Sequence, residues 1–414
     1  AFLIKVFIIF NTQYGGWYGA DGENYMAGVD GLLRDGFFSD EGKLSYWPAG
    51  YPLFIWPFAK VSLTNFIYFI SFFQSVLFAW ATYIFARAIS QTKVNQAATW
   101  SSFIISFNPT LSLSSLAIGY ESPIASLLMI AIALILKDVA ASKVLFSTRN
   151  IVISGLCLSI STFFQPRIIL FAIVLIAVWM ISKEKTDVRI KISAAMLIFT
   201  MLFPSALILR NVVANEQAAI STNLGVTMRI GAGDKATGGY GTPDGSILCP
   251  PKVKDQPVTD NQVVVCVLKW YAGNPVKALE LMVNKSRFYW SPWFGPEANG
   301  TMARNPWLKI SPLVGFTKNE DGFNLVYGTF GKITSLTWLL GGILMMFLGF
   351  QSLWKFGGLE RQLGWLIGAP VVLGWLTSLG TIGDHRFRIP QMGLSLFLQV
   401  VGAIYIRDRV KRLT

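Results

Sequence analysis

A single histidine and three cysteines in 414 residues leave little material for a histidine-rich metal centre or a disulfide-built scaffold. Charge is scarce as well. Asp, Glu, Lys and Arg together make up 14% of the chain, against about 25% in soluble domains. The alternation that marks the strands of a membrane barrel is missing, and so are internal repeats and low-complexity tails. The run Gly231-Ala-Gly-Asp-Lys-Ala-Thr-Gly-Gly-Tyr-Gly241 lacks the Gly-Lys-Ser/Thr ending and the preceding strand of a phosphate loop, and reads as an ordinary loop. Asp40-Glu41 and the acids from Asp255 to Asp260 follow no known cation-ligand spacing.

What is abundant is apolar surface: 53% hydrophobic residues, with a mean hydropathy of +0.50. Such a chain belongs in a bilayer, where each crossing segment must satisfy its own backbone, so the expected class is an all-α polytopic membrane protein. Apolar runs at 1–10, 62–86, 97–117, 122–137, 151–165, 167–182, 192–209, 330–350, 362–380 and 388–406 predict about ten helices. The first is too short to span and reads as the end of a helix rather than a signal peptide.

The net charge of +13 sits mostly in short loops between apolar runs, not on one face, which argues for topology over nucleic acid. Loops carrying Arg87 and Lys93, Lys137 to Arg149, Lys183 to Lys191, Lys355 and Arg361, and Arg407 to Arg412 alternate with the others and define a cytoplasmic side. The polar stretches at 11–61, 120–123, 165–167, 210–329 and 383–388 then share the opposite, external face. Three parts are expected: an N-terminal transmembrane module at 1–209 with its first external loop at 11–61, an extracytoplasmic cap at 210–329, and a C-terminal transmembrane module at 330–414. A helix is predicted at 274–288, beginning at Asn274-Pro275. Cys157 falls in an apolar span; Cys249 and Cys266 share the cap and can pair if that side is oxidising.

Asp21 opens a helical pattern in which Tyr25, Val29, Leu32 and Leu33 lie on one face, as in an interfacial amphipathic helix. Two readings fit it. Asp21 is a suitable N-cap with Glu23 in the first turn, which needs no chemistry; equally, it is an acid at the membrane surface beside the aromatic run Tyr46-Trp47-Pro-Ala-Gly-Tyr51-Pro. Arg386 and Arg388 beside His385, and Arg210 at a span end, read either as interfacial snorkelling groups or as anion ligands. Glu121 reads as a helix start or as a second acid, and the tryptophans and tyrosines at span ends as an interfacial belt or as sugar-stacking surfaces.

The order Asp21-x-x-x-Tyr25-x-Ala27 after the first span, then Tyr-Trp-Pro-Ala-Gly-Tyr-Pro-Leu-Phe before the second, resembles the first external loop of GT-C fold glycosyltransferases. The resemblance is to the branch related to dolichyl-phosphate-mannose-protein mannosyltransferases and aminoarabinose lipid A transferases. It continues in Ser106-Phe-Asn-Pro109, Tyr120-Glu121-Ser-Pro123, Arg210-Asn211, Ser221 to Gly225, Thr237 to Tyr240, Gly273-Asn-Pro275 with Lys285, and Asp384-His385-Arg386-Phe387-Arg388-Ile-Pro390. It implies a GT-C helix bundle and an inverting enzyme that moves a sugar from a polyprenyl-phosphate carrier to a glycan, lipid or protein acceptor. By that resemblance Asp21 is the base. Gly22 follows it, so the Asp-Glu pair common in that branch is not in register, and Glu23 comes one residue later. Lys43 does not align with the lysine that some relatives carry before the proline motif.

The chemistry asks for little. A phosphate leaving group departs without protonation, so the protein must take a proton from an acceptor hydroxyl and neutralise the departing phosphate. The expected set is Asp21 as catalytic base, Arg386, Arg388 and Arg210 on the donor phosphate, and Glu23, Tyr25, Tyr46, Trp47, Tyr51, Glu121 and His385 as sugar or acceptor contacts. No metal or cofactor is expected, the partners are the lipid-linked sugar, its acceptor and membrane lipids, and nucleic acid is not among them. The expected location is the bacterial cytoplasmic membrane with the site facing outward. Two rivals stand beside this reading: an O-antigen ligase or polymerase using a diphosphate-linked glycan, and a transporter, which would carry ionisable residues in mid-span.

Overall fold

The computed structural model describes residues 1–11, 17–18, 21–41, 44–140, 147–180, 186–239, 259–290 and 329–412. Helix is the rule throughout. In chain order the helices are α1 (Phe2–Asn11), α2 (Gly22–Asp35), α3 (Gly50–Val61), α4 (Phe66–Ile89), α5 (Gln96–Phe107), α6 (Pro109–Leu113), α7 (Glu121–Ala140), α8 (Thr148–Phe164), α9 (Ile169–Met180) and α10 (Thr186–Asn215). They continue with α11 (Leu224–Ile230), α12 (Asp260–Gly273), α13 (Pro275–Trp290), α14 (Thr329–Phe356), α15 (Gly358–Gly380) and α16 (Ile389–Val410).

Among the described residues six helices are long and apolar enough to cross a bilayer: Phe66–Ile89, Glu121–Ala140, Asp187–Asn215, Leu336–Phe356, Gly358–Gly380 and His385–Val410. Two shorter apolar helices, Thr148–Phe164 and Pro166–Ala177, accompany them. The membrane class holds, and the described helices do not confirm the expected count of about ten spans. The run 97–117 shows why. Asn108 is extended and Pro109 opens a new helix, with the Asn108 carboxamide accepting from the Leu111 amide, so one hydrophobic run becomes α5 and the short α6.

Burial separates central from peripheral helices. In α7 and in His385–Val410, 72% of the apolar window is buried, whereas in α10 and α14 it is 28%. Phe69, Phe72, Phe73, Val76, Trp80 and Tyr83 cover the exposed face of α4 and suit contact with lipid. Where α14 crosses α16 the backbones touch: a Cβ on Gly349 would lie 2.0 Å from the Leu398 carbonyl, and one on Gly402 would lie 2.1 Å from that of Met345. Small residues here permit the close packing that joins helices in lipid.

One short feature sets the register of the functional end. Strands β1 (Trp17–Tyr18) and β2 (Ala117–Ile118) pair in parallel, Trp17 with Ala117 and Tyr18 with Ile118. Asp21 and Glu121 each follow three residues after the second pair, and each stands at the start of a helix. The helix expected at 274–288 is α13. It docks on the other end of the same site, with Gly383 packed so tightly on Lys285 that a Cβ would come within 2.3 Å of its carbonyl oxygen, and with the Gly383 amide donating to the Gly238 carbonyl at 2.8 Å.

Candidate active site

Three helix starts converge: those of α2, of α7, and of the 3₁₀ turn His385–Arg388 that leads into α16. Arg386 lies between two acids. Its Nη1 donates to Asp21 Oδ2 at 2.8 Å, and its Nε donates to Glu121 Oε1. All three residues are buried. Burying two carboxylates and one guanidinium costs several kcal/mol of hydration per ion, so the arrangement holds only because each acid has a direct charged partner. Asp384 fixes the turn that aims Arg386, its carboxylate accepting from the Arg386 backbone amide at 2.8 Å.

This geometry speaks against a side-chain cap at Asp21. The side chain makes no capping bond to the start of α2, and its carboxylate is turned to Arg386 instead. Arg386 is correspondingly not an unoccupied phosphate clamp, since its donors already serve two acids. Gly119 lies close under the Glu121 carboxylate, where a Cβ would stand 2.5 Å from Oε2.

Beneath the acids lies a buried tyrosine floor. The Tyr25 ring sits edge-on to Tyr51 at 5.3 Å and tilted to Tyr120 at 5.9 Å, and the Arg386 guanidinium stands 5.6 Å from the Tyr120 ring. Tyr51 donates to Gln74 Oε1 at 2.8 Å and accepts from the Gly119 amide at 2.9 Å; Tyr120 accepts from Gln165 Nε2 at 3.0 Å. Burial raises the Tyr25 phenol well above its ordinary range and moves that of Tyr120 up to about 12, so both stay neutral donors at physiological pH. Tyr25 and Tyr51, expected as sugar contacts, are instead packed in the core and support the site from below. Tyr46 and Trp47 are half-buried with rings 5.3 Å apart, and Glu23 is exposed on the far side of α2.

Arg210, expected on the donor phosphate, is engaged by protein oxygens. It is buried and gives Nε to the Phe37 carbonyl at 3.1 Å, Nη1 to Asn211 Oδ1 at 2.8 Å, and Nη2 to the Ser39 carbonyl. Its donors pin the turn after α2 to α10, which leaves it no fork for a phosphate. His385 is buried rather than exposed, inside the 3₁₀ turn. Cys266 stands on α12, while Cys249 lies outside the described residues.

Arg388 ends the same turn and is partly buried. Its Nη1 donates to the Trp290 carbonyl at 2.8 Å, and the side chain also lines a small cleft with Asn108, Thr110, Trp338 and Gln399, between α6, α14 and α16. The Thr110 hydroxyl in that cleft is buried with no hydrogen-bond partner. One residue was undervalued in the sequence. Arg167, absent from the expected set, stacks on Phe387 at 4.3 Å and approaches the Phe387 carbonyl at 3.5 Å, so it joins the cluster. The motif Gln165-Pro166-Arg167 held the signal, since both Gln165 and Arg167 turn toward the site.

Helices crossing a bilayer, with acids and arginines gathered from distant segments at one end, define a polytopic membrane protein with a polar site at its boundary. The chain has the GT-C fold. It aligns over 99% of its length with the archaeal oligosaccharyltransferase AglB from Archaeoglobus fulgidus in complex with an inhibitory peptide and a dolichol-phosphate, at a TM-score of 0.51 and 12% identity. The apo form of the Archaeoglobus fulgidus oligosaccharyltransferase matches over the same share, at a TM-score of 0.51 and 11% identity. The chain spans about half the length of those structures. No family model and no curated protein matches the sequence.

Proposed function

We propose that this chain is an inverting glycosyltransferase that moves a sugar from a polyprenyl-phosphate carrier to a hydroxyl acceptor on the external face of its membrane. The observation that carries the reading is the Asp21–Arg386–Glu121 bridge at the membrane boundary, built from segments 365 residues apart in the chain. The solved AglB structure contains a dolichol-phosphate, which supports a lipid-linked donor for this fold.

In the proposed reaction the acceptor oxygen loses its proton to the Asp21 carboxylate and bonds to the anomeric carbon from the face opposite the phosphate. The carbon–oxygen bond to the carrier breaks, its electron pair stays on the phosphate, and the anomeric configuration inverts. Arg386 orients Asp21 and, by holding Glu121 as well, keeps a second negative charge from opposing the incoming donor. The guanidinium sits between the two carboxylates, where a divalent cation would otherwise bring the compensating charge; this supports a metal-independent reaction. Arg388, in its cleft between α14 and α16, receives the carrier phosphate, and Arg167 steadies the same turn by stacking on the preceding Phe387. The α11–α13 segment covers the acceptor side. Members of the GT-C class whose donor is a diphosphate-linked glycan remain the nearest alternative chemistry.

Purified protein incubated with a panel of polyprenyl-phosphate sugars should release the free carrier phosphate from at least one of them. Release only from diphosphate-linked donors would overturn the assigned donor class.

A further inference from the structure

At the opposite end of the bundle a second cavity opens, independent of the reading above. Helix α16 rises about 33 Å between the two ends, so this cavity has no part in the chemistry at Arg386. It encloses about 420 Å³, within the range of roughly 300–1,000 Å³ usual for small-molecule sites. Four cations line it from three segments: Lys93 from the turn before α5, Lys355 at the end of α14, and Arg409 in the last turn of α16 with Arg412 just beyond it. Among the described residues none of the four is in an ion pair.

The acids nearby are already occupied. Asp408, the cavity's one carboxylate, is held by Arg407 at 2.8 Å, and Glu360 accepts the Lys93 backbone amide at 2.9 Å, which fixes the turn that presents Lys93. Tyr405 stands between two of the cations: Lys355 lies 5.8 Å and Arg409 5.3 Å from its ring, and its hydroxyl is 3.4 Å from Lys355 Nζ. Ile404 and Phe356 give the cavity an apolar side next to the lipid-facing surface. A general excess of basic residues on one membrane face explains cations at helix ends. It does not explain their convergence on a cavity with one polar and one apolar wall.

We propose that this cavity binds the phosphate headgroup of an anionic membrane lipid, with the cations on the phosphate and the first acyl methylenes against Ile404 and Phe356. The ligand chemistry is a phosphate monoanion or dianion, and the attached acyl chain is what separates a lipid from a free phosphate.

Detergent-purified protein mixed with phosphatidylglycerol, phosphatidylcholine or inorganic phosphate, followed by native mass spectrometry and thermal unfolding, tests this. Phosphatidylglycerol should remain bound and raise the unfolding temperature, while phosphatidylcholine does neither. With about a fivefold loss for each cation removed, the double substitution Lys355→Gln with Arg409→Gln should weaken phosphatidylglycerol binding about 25-fold. Both side chains are exposed, so the variant folds as the parent does. A control pair outside the cavity, Lys269→Gln with Lys277→Gln, removes the same charge and should leave binding unchanged. Equal retention of phosphatidylcholine, equal loss in the control pair, or undiminished binding in the double variant overturns the site. Stabilisation by inorganic phosphate alone, matching that of the lipid, overturns the lipid as its ligand.

Discussion

Replacing Arg386 with methionine removes the one cation, among the described residues, that touches both Asp21 and Glu121 and leaves two buried carboxylates without it. Removing one partner of a buried ion pair costs about 3–5 kcal/mol, because the stranded charge has lost its water as well as its counter-ion. Here two charges are stranded, so the loss should reach the upper end of that range, enough to consume much of the roughly 5–15 kcal/mol that holds a typical domain folded. Arg386→Lys keeps the charge but offers a compact ammonium in place of a fork, and should lose one of the two contacts, about 1.5–3 kcal/mol. Asp21→Asn leaves a balanced Arg386–Glu121 pair and should cost only about 1 kcal/mol. The assay is unfolding in mixed detergent micelles. Equal midpoints for Arg386→Met and Asp21→Asn would refute the bridge as a shared ion pair, whereas the order Met, Lys, Asn from most to least destabilised supports it.

Other outcomes follow from the same geometry. Arg388→Ala should raise the KM for the polyprenyl-phosphate donor tenfold or more, in keeping with the loss of about 1.4 kcal/mol or more of phosphate contact, with little change in acceptor KM; an unchanged donor KM removes it from the phosphate site. Lys285, buried on α13 with Nζ 2.7 Å from the Tyr271 hydroxyl and 3.0 Å from the Leu379 carbonyl, has its pKa lowered to about 7 by burial. Between pH 7 and its ordinary value of 10.5 the unfolded chain binds the extra proton, so stability should rise with pH across that window; Lys285→Met should flatten the rise in a pH series of unfolding midpoints. Treatment with a strong chelator should leave the transfer rate unchanged, and a rate restored by added divalent cation would show that Arg386 is not the sole compensating charge.

The class of the protein was legible because long apolar runs and alternating basic loops are coarse signals that need no tertiary knowledge. The end of one helix was not, since Asn108-Pro109 breaks a hydrophobic run that hydropathy alone joins. At the site, Asp21, Glu121 and Arg386 were all visible as polar residues at span ends. Their mutual pairing was hidden, because it depends on the parallel register of Trp17–Tyr18 with Ala117–Ile118 and on the turn that Asp384 fixes. The burial of Tyr25 and Tyr51 was not legible: an aromatic at the end of a span looks alike whether its ring faces a sugar or the core. Arg210 misled for a related reason, as a guanidinium near the membrane surface binds backbone carbonyls as readily as phosphate oxygens.

The role of Asp21 is the claim on which the account turns, and single-turnover transfer from a polyprenyl-phosphate sugar measures it most directly, with the wild-type chain and the Asp21→Asn variant compared at equal folded concentration. Loss of a positioned general base should slow carrier release by about 10²–10⁴-fold while donor binding persists. Release by Asp21→Asn within a few-fold of the wild-type rate would contradict the assignment of Asp21 as the base.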